Sequence, residues 1–568
     1  MSTPVASGIK VSNLADALIN SPPNEIFVTE WRSDDDIHSV TFGKFLTRAQ
    51  SHAAELHARG LRPGDRVVLI HSQGLAGMAA FAGAILLGAV PALLAFPNFK
   101  VDREKYISGL IGVTRNLQAR LVAVDDGFPT EFEEYLTSSS GASLVRLGDG
   151  SRVDDGGGVP FVSRLPEDIA FIQHSAGTTG LQKGVAVSHK ALLTQLFHLT
   201  AALKINDRDR IYSWLPLYHD MGLIACFMLP LVYHLPVVMQ SPTNWVMRPA
   251  TMLRLISDYR CTLSWIPNFT LQFLSRRVRE DDRMGIDLSS LRGLINCSEP
   301  VHLESMEEFY RSFESCGLRA TTLSSSYAMA ENTFAVTQSE IGLGVRHIWI
   351  DRSKLHQEHL AVPIGEHSTG SLGLVSSGRC LPGNRVRIVS SNGTDLPDGS
   401  VGEILIQSDS LFEGYYNRPD LTAVAIRDGW YWSGDLGFTD QGEIYVIGRS
   451  KDLIIVAGKN IYPQDLEQIA CLHPAVHDGR AVAFALFNRE LGTEEIIVVA
   501  ELQSDCAPID SIEIEREIRN AIAAELDVVP RAICLKPPRW IIKSTAGKPA
   551  RSTTREKLLK EHPEFSEQ

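Results

Sequence analysis

Short apolar runs alternate with amphipathic stretches from about residue 40 to about residue 340, and this rhythm sets the fold class before any motif is considered. Arg66–Ile70, Leu121–Val124, Ile169–Ile172 and Arg210–Trp214 have the length and apolar character of strands. Between them lie helical patterns. In Thr41–Gly60, Phe42, Phe45, Leu46, Ala49 and Leu56 fall near helical spacing, and Lys190–Leu203 is amphipathic. Such alternation implies an α/β core with largely parallel sheets. Gly74–Pro97 is uncharged and nearly long enough to span a bilayer, but it is rich in Gly and Ala and broken by Pro91. It is expected to form a buried helix to about Gly88, then a strand. Gly222–Met239 is similar, broken by Pro230 and Pro236. No transmembrane segment is expected.

The texture changes at Gly373. Val386–Val389, Gly402–Gln407 and Ile444–Ile447 are short strand-like runs separated by turn residues such as Asn392-Gly393 and Gln441-Gly442. They predict a β-rich subdomain. After Asp452, strands (Ala481–Phe487, Glu495–Leu502) and helices (Pro463–Ala470, Ile512–Ala524) alternate again as a compact α+β tail. At 568 residues the chain exceeds one ordinary core. The expected division is a large domain over 1–450 and a small one over 451–568.

Composition narrows the class. The net charge of -13 argues against nonspecific nucleic-acid binding. The 8 cysteines contain no Cys-x-x-Cys pair, so neither a disulfide framework nor a zinc site is expected. Met1–Lys10 lacks an apolar segment after a basic start, and the expected location is cytoplasmic.

Chemistry concentrates in a loop at His174–Gly184, HSAGTTGLQKG, between an apolar lead-in and Val185-Ala186-Val187. Glycines permit close backbone approach, and hydroxyls, amides and Lys183 can surround phosphate oxygens. The P-loop test fails, because Gly180 and Lys183 are separated by two residues. Four further segments invite the same question. In Ser326–Glu331, Tyr327 can stack on a base and Glu331 can ligate Mg2+. Trp432–Gly437 places Asp435 in an expected tight turn, where a carboxylate can accept ribose hydroxyls. Gly448–Asp452 follows a strand and carries Arg449 and Lys451. Lys543–Arg551 presents lysines on a loop of small residues. Taken alone, each has a plainer reading: a helix start, a capping aspartate, a solvated charge cluster, a flexible basic tail.

In this order and spacing, the segments resemble the adenylate-forming superfamily, which includes acyl-CoA synthetases, luciferases and peptide-synthetase adenylation domains. Within it the chain is most similar to fatty acyl-AMP ligases, on Trp214–Ile224 (WLPLYHDMGLI), Pro267-Asn268-Phe269 and Asp452–Glu467. A segment at about 345–364 lies where those ligases carry an insertion that hampers reaction with free CoA.

The resemblance implies a large N-terminal domain of αβαβ layers with a β-rich subdomain, and a small mobile C-terminal domain. It implies ATP-dependent activation of a carboxylic acid of the fatty type to an acyl-adenylate with release of pyrophosphate. Acyl transfer to the phosphopantetheine thiol of an acyl carrier protein then follows. Alternatives are transfer to CoA, activation of an amino or aryl acid for a carrier, and a degenerate nucleotide-binding scaffold. ATP and Mg2+ are the implied cofactors.

By the family pattern Ser175, Gly177, Thr178, Thr179, Gly180 and Lys183 hold the ATP phosphates. Ser298, Glu299 and Pro300 form the adenine turn, and Tyr327 stacks on the adenine with Ala328 in the nucleotide site. Glu331 matches the Mg2+ acid, and Asp435 and Arg449 the ribose ligands. Lys451 matches the hinge, and Lys548 the lysine that contacts the carboxylate and α-phosphate. His219 stands beside the acyl pocket, which Ile224, Phe227, Trp265 and Phe269 are expected to line. The chain departs from the pattern at His174, Ala176, Gln182, Cys297, Ala330 and Ile461, none of which removes a charged catalytic group.

Overall fold

The computed structural model describes residues 11–97, 103–139, 141–151, 161–174, 183–456, 459–488, 493–503, 511–543 and 549–565. Strands and helices alternate as the apolar pattern requires. Arg66–Ile70 and Leu121–Val124 are strands over the expected residues. The helix Phe42–Ala58 starts where the Thr41 hydroxyl accepts the Lys44 N–H at 3.3 Å. Leu75–Leu86 is apolar all round and almost wholly buried, a core helix, and the strand Val90–Leu93 follows it.

A seven-stranded sheet forms the centre of the body. In spatial order its strands are Leu323–Ser325, Gly293–Asn296, Leu263–Ile266, Ile211–Ser213, Val237–Gln240, Ile26–Ser33 and Asp36–Thr41. All pairs are parallel except the last. A second, four-stranded sheet is parallel throughout, in the order Val90–Leu93, Arg66–Ile70, Leu121–Val124, Ser143–Arg146. The β-rich subdomain is an antiparallel sheet built from Asn384–Val389, Gly402–Ser408, Ile426–Arg427, Trp430–Asp440 and Glu443–Arg449.

The tail carries strands Val476–Asn488, Thr493–Leu502 and Ala532–Lys536, with helices Pro463–Leu472, Ser511–Leu526 and Arg551–Glu561. Its apolar side chains, among them Ile461, Leu466, Val498, Ile514 and Ile518, make a core separate from that of the body. A smaller cluster joins the two: Ile350, Leu355, Phe438 and Tyr445 of the body pack with Tyr462 of the tail.

The 345–364 segment is a strand, His347–Asp351, followed by the short helix Arg352–Glu358. It touches the tail through polar groups. Arg352 Nη1 donates to Glu525 at 2.7 Å, His356 Nε2 lies 3.1 Å from Asp465 Oδ2, and His359 Nε2 lies 2.8 Å from Asn460 Nδ2.

One local expectation is corrected. Trp432–Gly437 is no tight turn but the interior of the strand Trp430–Asp440. The Ser433-Gly434-Asp435 step bulges out of register between the pairs Leu405–Trp432 and Glu403–Leu436. Gly434 takes the positive φ of 72° that the bulge demands, and its N–H donates to Glu403 Oε1 at 3.1 Å. The stretch 148–158, whose glycines and aspartates predict a surface loop, lies outside the described residues over 152–158.

Candidate active site

The site sits at the carboxyl ends of the parallel strands, where open α/β sheets bind ligands. Asn296 and Ser325 are register partners at the ends of adjacent strands, and the Ser326 N–H donates to the Asn296 carbonyl at 3.0 Å. Ser298–Pro300 and Tyr327-Ala328 therefore leave the sheet side by side. Ser298 adopts a φ of 71°, unusual for a residue with a Cβ. Segment 326–331 does not begin an α-helix. Ala328 bridges Ala335, and only Ala330–Asn332 makes a 3-10 turn.

The strand bulge brings Asp435 against this edge. Tyr327 donates its hydroxyl to Asp435 Oδ2 at 2.5 Å, and Arg449 Nε donates to Asp435 Oδ1 at 3.1 Å. Asp435 and Arg449 are cross-strand partners in the sheet, which fixes the pair by register. Burial, then the Asp435 charge, pushes the Tyr327 phenol well above its ordinary value. Asp435 raises the Arg449 guanidinium further above its already high value. Tyr327 thus remains neutral and Arg449 charged, the states suited to packing on a base and meeting an anion.

A second cluster surrounds Glu331. Tyr415 donates its hydroxyl to Glu331 Oε1 at 2.8 Å, and the Phe412 N–H donates to the Glu331 carbonyl at 2.9 Å. Lys183 Nζ lies 4.5 Å from the Tyr415 ring centroid, a cation–π contact. The reason is topological. Gly414–Tyr415 pairs with Gly184–Ser188, which in turn pairs antiparallel with Ile169–His174. His174 and Gly184 are partners across that hairpin. Both flanks of the Gly/Thr loop are therefore anchored beside Lys183, Tyr415 and Glu331. Ser175, Gly177, Thr178, Thr179 and Gly180 themselves lie outside the described residues, as does Lys548. Lys543 and Pro549, which bracket Lys548, form a bridge to each other.

Tyr415 was not among the residues singled out from the sequence, and neither was Tyr431, whose hydroxyl hydrogen-bonds Tyr415. The available signal was Gly414-Tyr415-Tyr416, too short to read as a strand. Burial pushes both phenols far above their ordinary value, and the Glu331 charge adds to the effect.

His219 lies 2.5 Å, Nδ1 to Oδ1, from Asp220, whose carboxylate also accepts the Met221 N–H at 2.8 Å. Asp220 thereby caps a π-helix, Met221–Met228, a geometry common at functional positions. Gly222 is required there, because a Cβ would lie 2.2 Å from the Pro216 carbonyl oxygen. Phe269 donates its N–H to Glu299 Oε2 at 3.2 Å, which ties the expected acyl-pocket segment to the adenine turn. Ile224, Phe227 and Trp265 are buried, whereas Phe269 is exposed. The Phe227 ring packs with Phe27, Phe45 and Phe81 of the main core. Lys451 lies in the turn Ser450–Asp452 between body and tail.

Mg2+ bound with a nucleotide needs one or two carboxylates, the rest of its shell being phosphates and water. A single acid oriented by a neutral phenol, as Glu331 is by Tyr415, fits that requirement. Among the described residues no cluster of three or more metal-ligating side chains occurs. The described helices include none long and apolar enough to cross a membrane.

The AMP-binding enzyme family profile matches residues 16–416. The long-chain-fatty-acid–AMP ligase FadD26 of Mycobacterium tuberculosis is 30% identical over 90% of this chain and 90% of its own. The medium-chain-fatty-acid–[acyl-carrier-protein] ligase JamA of Moorena producens is 30% identical over 93% and 91%. A structure from work on fatty acyl-adenylate ligases of E. coli and L. pneumophila superposes with a TM-score of 0.88 at 28% identity, covering 99% of this chain and 100% of that one. The L. pneumophila fatty acyl-adenylate ligase in complex with acyl adenylate and pyrophosphate gives 0.74 at 29% identity, covering 98% of each. The order of the motifs, the sheet edge that Tyr327, Asp435 and Arg449 share and these likenesses agree: the chain belongs to the AMP-binding enzyme family and is an adenylate-forming ligase.

Proposed function

We propose that the protein activates a carboxylic acid of the fatty type with ATP and passes the acyl group to the phosphopantetheine thiol of an acyl carrier protein. The observation that carries the nucleotide half is the convergence of Tyr327, Asp435 and Arg449 with the Lys183–Tyr415–Glu331 cluster at one sheet edge. Asp435 and Arg449 hold the ribose in this reading. Tyr327 and Ala328, with Ser298–Pro300, hold the adenine.

The first half-reaction sets one anion against another, since a carboxylate must attack the α-phosphate. No protein nucleophile is needed; positioning and charge neutralisation lower the barrier. Lys183, with the loop residues Ser175 to Gly180, draws the β- and γ-phosphates away from the attacking acid. Lys548 bridges carboxylate and α-phosphate. Glu331 would hold Mg2+, which supplies positive charge to the pyrophosphate leaving group. The acid enters past His219 and Phe269.

The second half-reaction needs no lysine at the phosphate. The domain from residue 451 onward then turns about Lys451 and clears the way for the thiol. The carrier assignment draws on the names of JamA and FadD26 and on the 345–364 segment seated against the tail. The test is pyrophosphate exchange over a panel of acids, followed by competition of CoA with a phosphopantetheinylated carrier. Turnover of CoA at a rate comparable with the carrier would favour an acyl-CoA ligase instead.

A further inference from the structure

The stretch 297–302, which contains the proposed adenine turn, is pinned by a side chain from a neighbouring strand end. Asn268 follows the strand Leu263–Ile266, and Ile266 is the register partner of Asn296, the last residue of Gly293–Asn296. Asn268 Oδ1 accepts an N–H of Asn296 Nδ2 at 2.8 Å and the His302 backbone N–H at 3.2 Å. Asn296 ends the strand that leads into the turn, and His302 stands immediately before the helix Leu303–Phe313 that leads out of it. The same oxygen therefore clasps both ends. Asn268 Nδ2 donates to Ser305 Oγ at 3.3 Å, in the first turn of that helix. The next residue reaches the middle of the turn, because the Phe269 N–H donates to Glu299 Oε2 at 3.2 Å.

The side chain is diverted to this task. Asn268 occupies the N-cap position of the helix Phe269–Arg277, where an asparagine ordinarily accepts an N–H of its own helix, yet it makes no such bond. It is 5% exposed, and Asn296 is 0% exposed. A backbone N–H only donates, so the amide oxygen of Asn268 must be the atom that faces His302. Within the clasp Ser298 holds a φ of 71°, a conformation that a residue with a Cβ keeps where its surroundings impose it. An amide oxygen has two lone pairs and can take both donors. An apolar side chain of the same size takes neither and leaves two buried N–H groups unpaired.

We infer that Asn268 is a positioning residue for the nucleotide base: by closing the turn it sets Ser298, Glu299 and Pro300 in the conformation that distinguishes adenine from other bases. The inference rests on the reading of Ser298–Pro300 as the adenine turn. Asn268 acts through that turn and not on the nucleotide itself.

The experiment is pyrophosphate exchange by the full-length protein with its best acid from a panel, in ATP, GTP and deoxy-ATP, for the wild type, Asn268→Leu and Asn268→Asp. The wild type should favour ATP over GTP. In Asn268→Leu the KM for ATP should rise, and the ATP:GTP ratio of kcat/KM should fall, each by about tenfold. The ATP:deoxy-ATP ratio should hold, because Asp435 and Arg449 are fixed by a different strand pair. Asn268→Asp keeps the acceptor oxygen, with a charge favoured at a helix N-terminus, and should keep the ATP:GTP ratio. These ratios do not depend on the fraction of protein folded, so a merely structural Asn268 would leave them unmoved. Where Asn268→Leu does not fold, Asn296→Ala, which deletes one of the two donors, should lower the ATP:GTP ratio by a smaller factor. An unchanged ATP:GTP ratio in the folded variant overturns the inference, as does an equal fall in Asn268→Asp or an equal fall of both ratios. A wild type that takes GTP as readily as ATP overturns the adenine-turn reading, and the inference with it. Exchange with no acid overturns the activity on which both rest.

Discussion

Tyr415→Phe removes a hydroxyl that orients the proposed magnesium acid. The substitution keeps the aromatic ring, and with it the Lys183 contact at 4.5 Å, and deletes only the hydroxyl that donates to Glu331 at 2.8 Å. A hydrogen bond to a charged group is worth about 1.5–3 kcal/mol. Glu331 is only part-buried, so water can replace some of the lost donation, and the lower end of that range applies. About 1.5 kcal/mol corresponds to roughly tenfold in an equilibrium or a rate. Pyrophosphate exchange at varied ATP and Mg2+ should therefore show kcat/KM for MgATP falling about tenfold, with the KM for the acid unchanged. Tyr431→Phe, one hydroxyl further from Glu331, should have a smaller effect in the same direction. A Tyr415→Phe enzyme within about twofold of wild type at limiting Mg2+ would refute the idea that the phenol positions the acid.

Two further predictions follow from other parts of the chain. Burial lowers His52, His71, His174 and His189 to about 4 from 6.5. The unfolded chain therefore binds more protons than the folded one below about pH 6.5, and stability present above that pH is lost as pH falls toward 4. Denaturation at pH 7 and pH 5 should differ by roughly 1–2 kcal/mol per histidine, and His174→Gln should remove its own share; an equal midpoint at both pH values in the wild type would contradict this. Lys548→Ala should abolish adenylate formation yet spare thioester formation from supplied acyl-adenylate, and equal loss of both half-reactions would contradict the turning tail.

What the sequence made legible was local. The strands at Arg66–Ile70 and Leu121–Val124 and the buried helix after Gly74 follow from apolar runs and their breakers, and each is present. Asp435 stood out in the sequence by its motif but not by its setting. The bulge that presents it depends on Ser433 donating to the Ile404 carbonyl and on Glu403 accepting the Gly434 N–H, about thirty residues away in sequence. Tyr415 escaped for the same reason. Its partner Glu331 is distant in the chain, and its strand is two residues long, which leaves no periodicity to read. Phe227, expected to line the acyl pocket, packs against Phe27, Phe45 and Phe81. An apolar residue in the right segment suits a pocket by type, but only packing decides whether it faces ligand or core.

The junction between body and tail bears on which thiol is served. Its polar contacts include Arg352–Glu525, whose acid is 41% exposed and which is of a kind worth about 1 kcal/mol or less, and the more buried His356–Asp465. They align the tail without fastening it. The apolar part is different. Tyr462 is buried in a cluster with Ile350, Leu355, Phe438 and Tyr445, although it lies beyond the proposed hinge at Lys451. A tail that turns as a unit from residue 451 must withdraw that ring. Uncovering a buried aromatic of about 150–250 Å2 at about 25 cal/mol per Å2 costs about 4–6 kcal/mol unless a new contact covers it. The arrangement with Tyr462 covered is favoured by that amount over one in which the tail has turned away. A carrier protein docking across the turned tail can cover the exposed surface and offset the cost. Free CoA, which brings only its own small contact area, can offset less of it, and the predicted preference for a carrier follows from that difference.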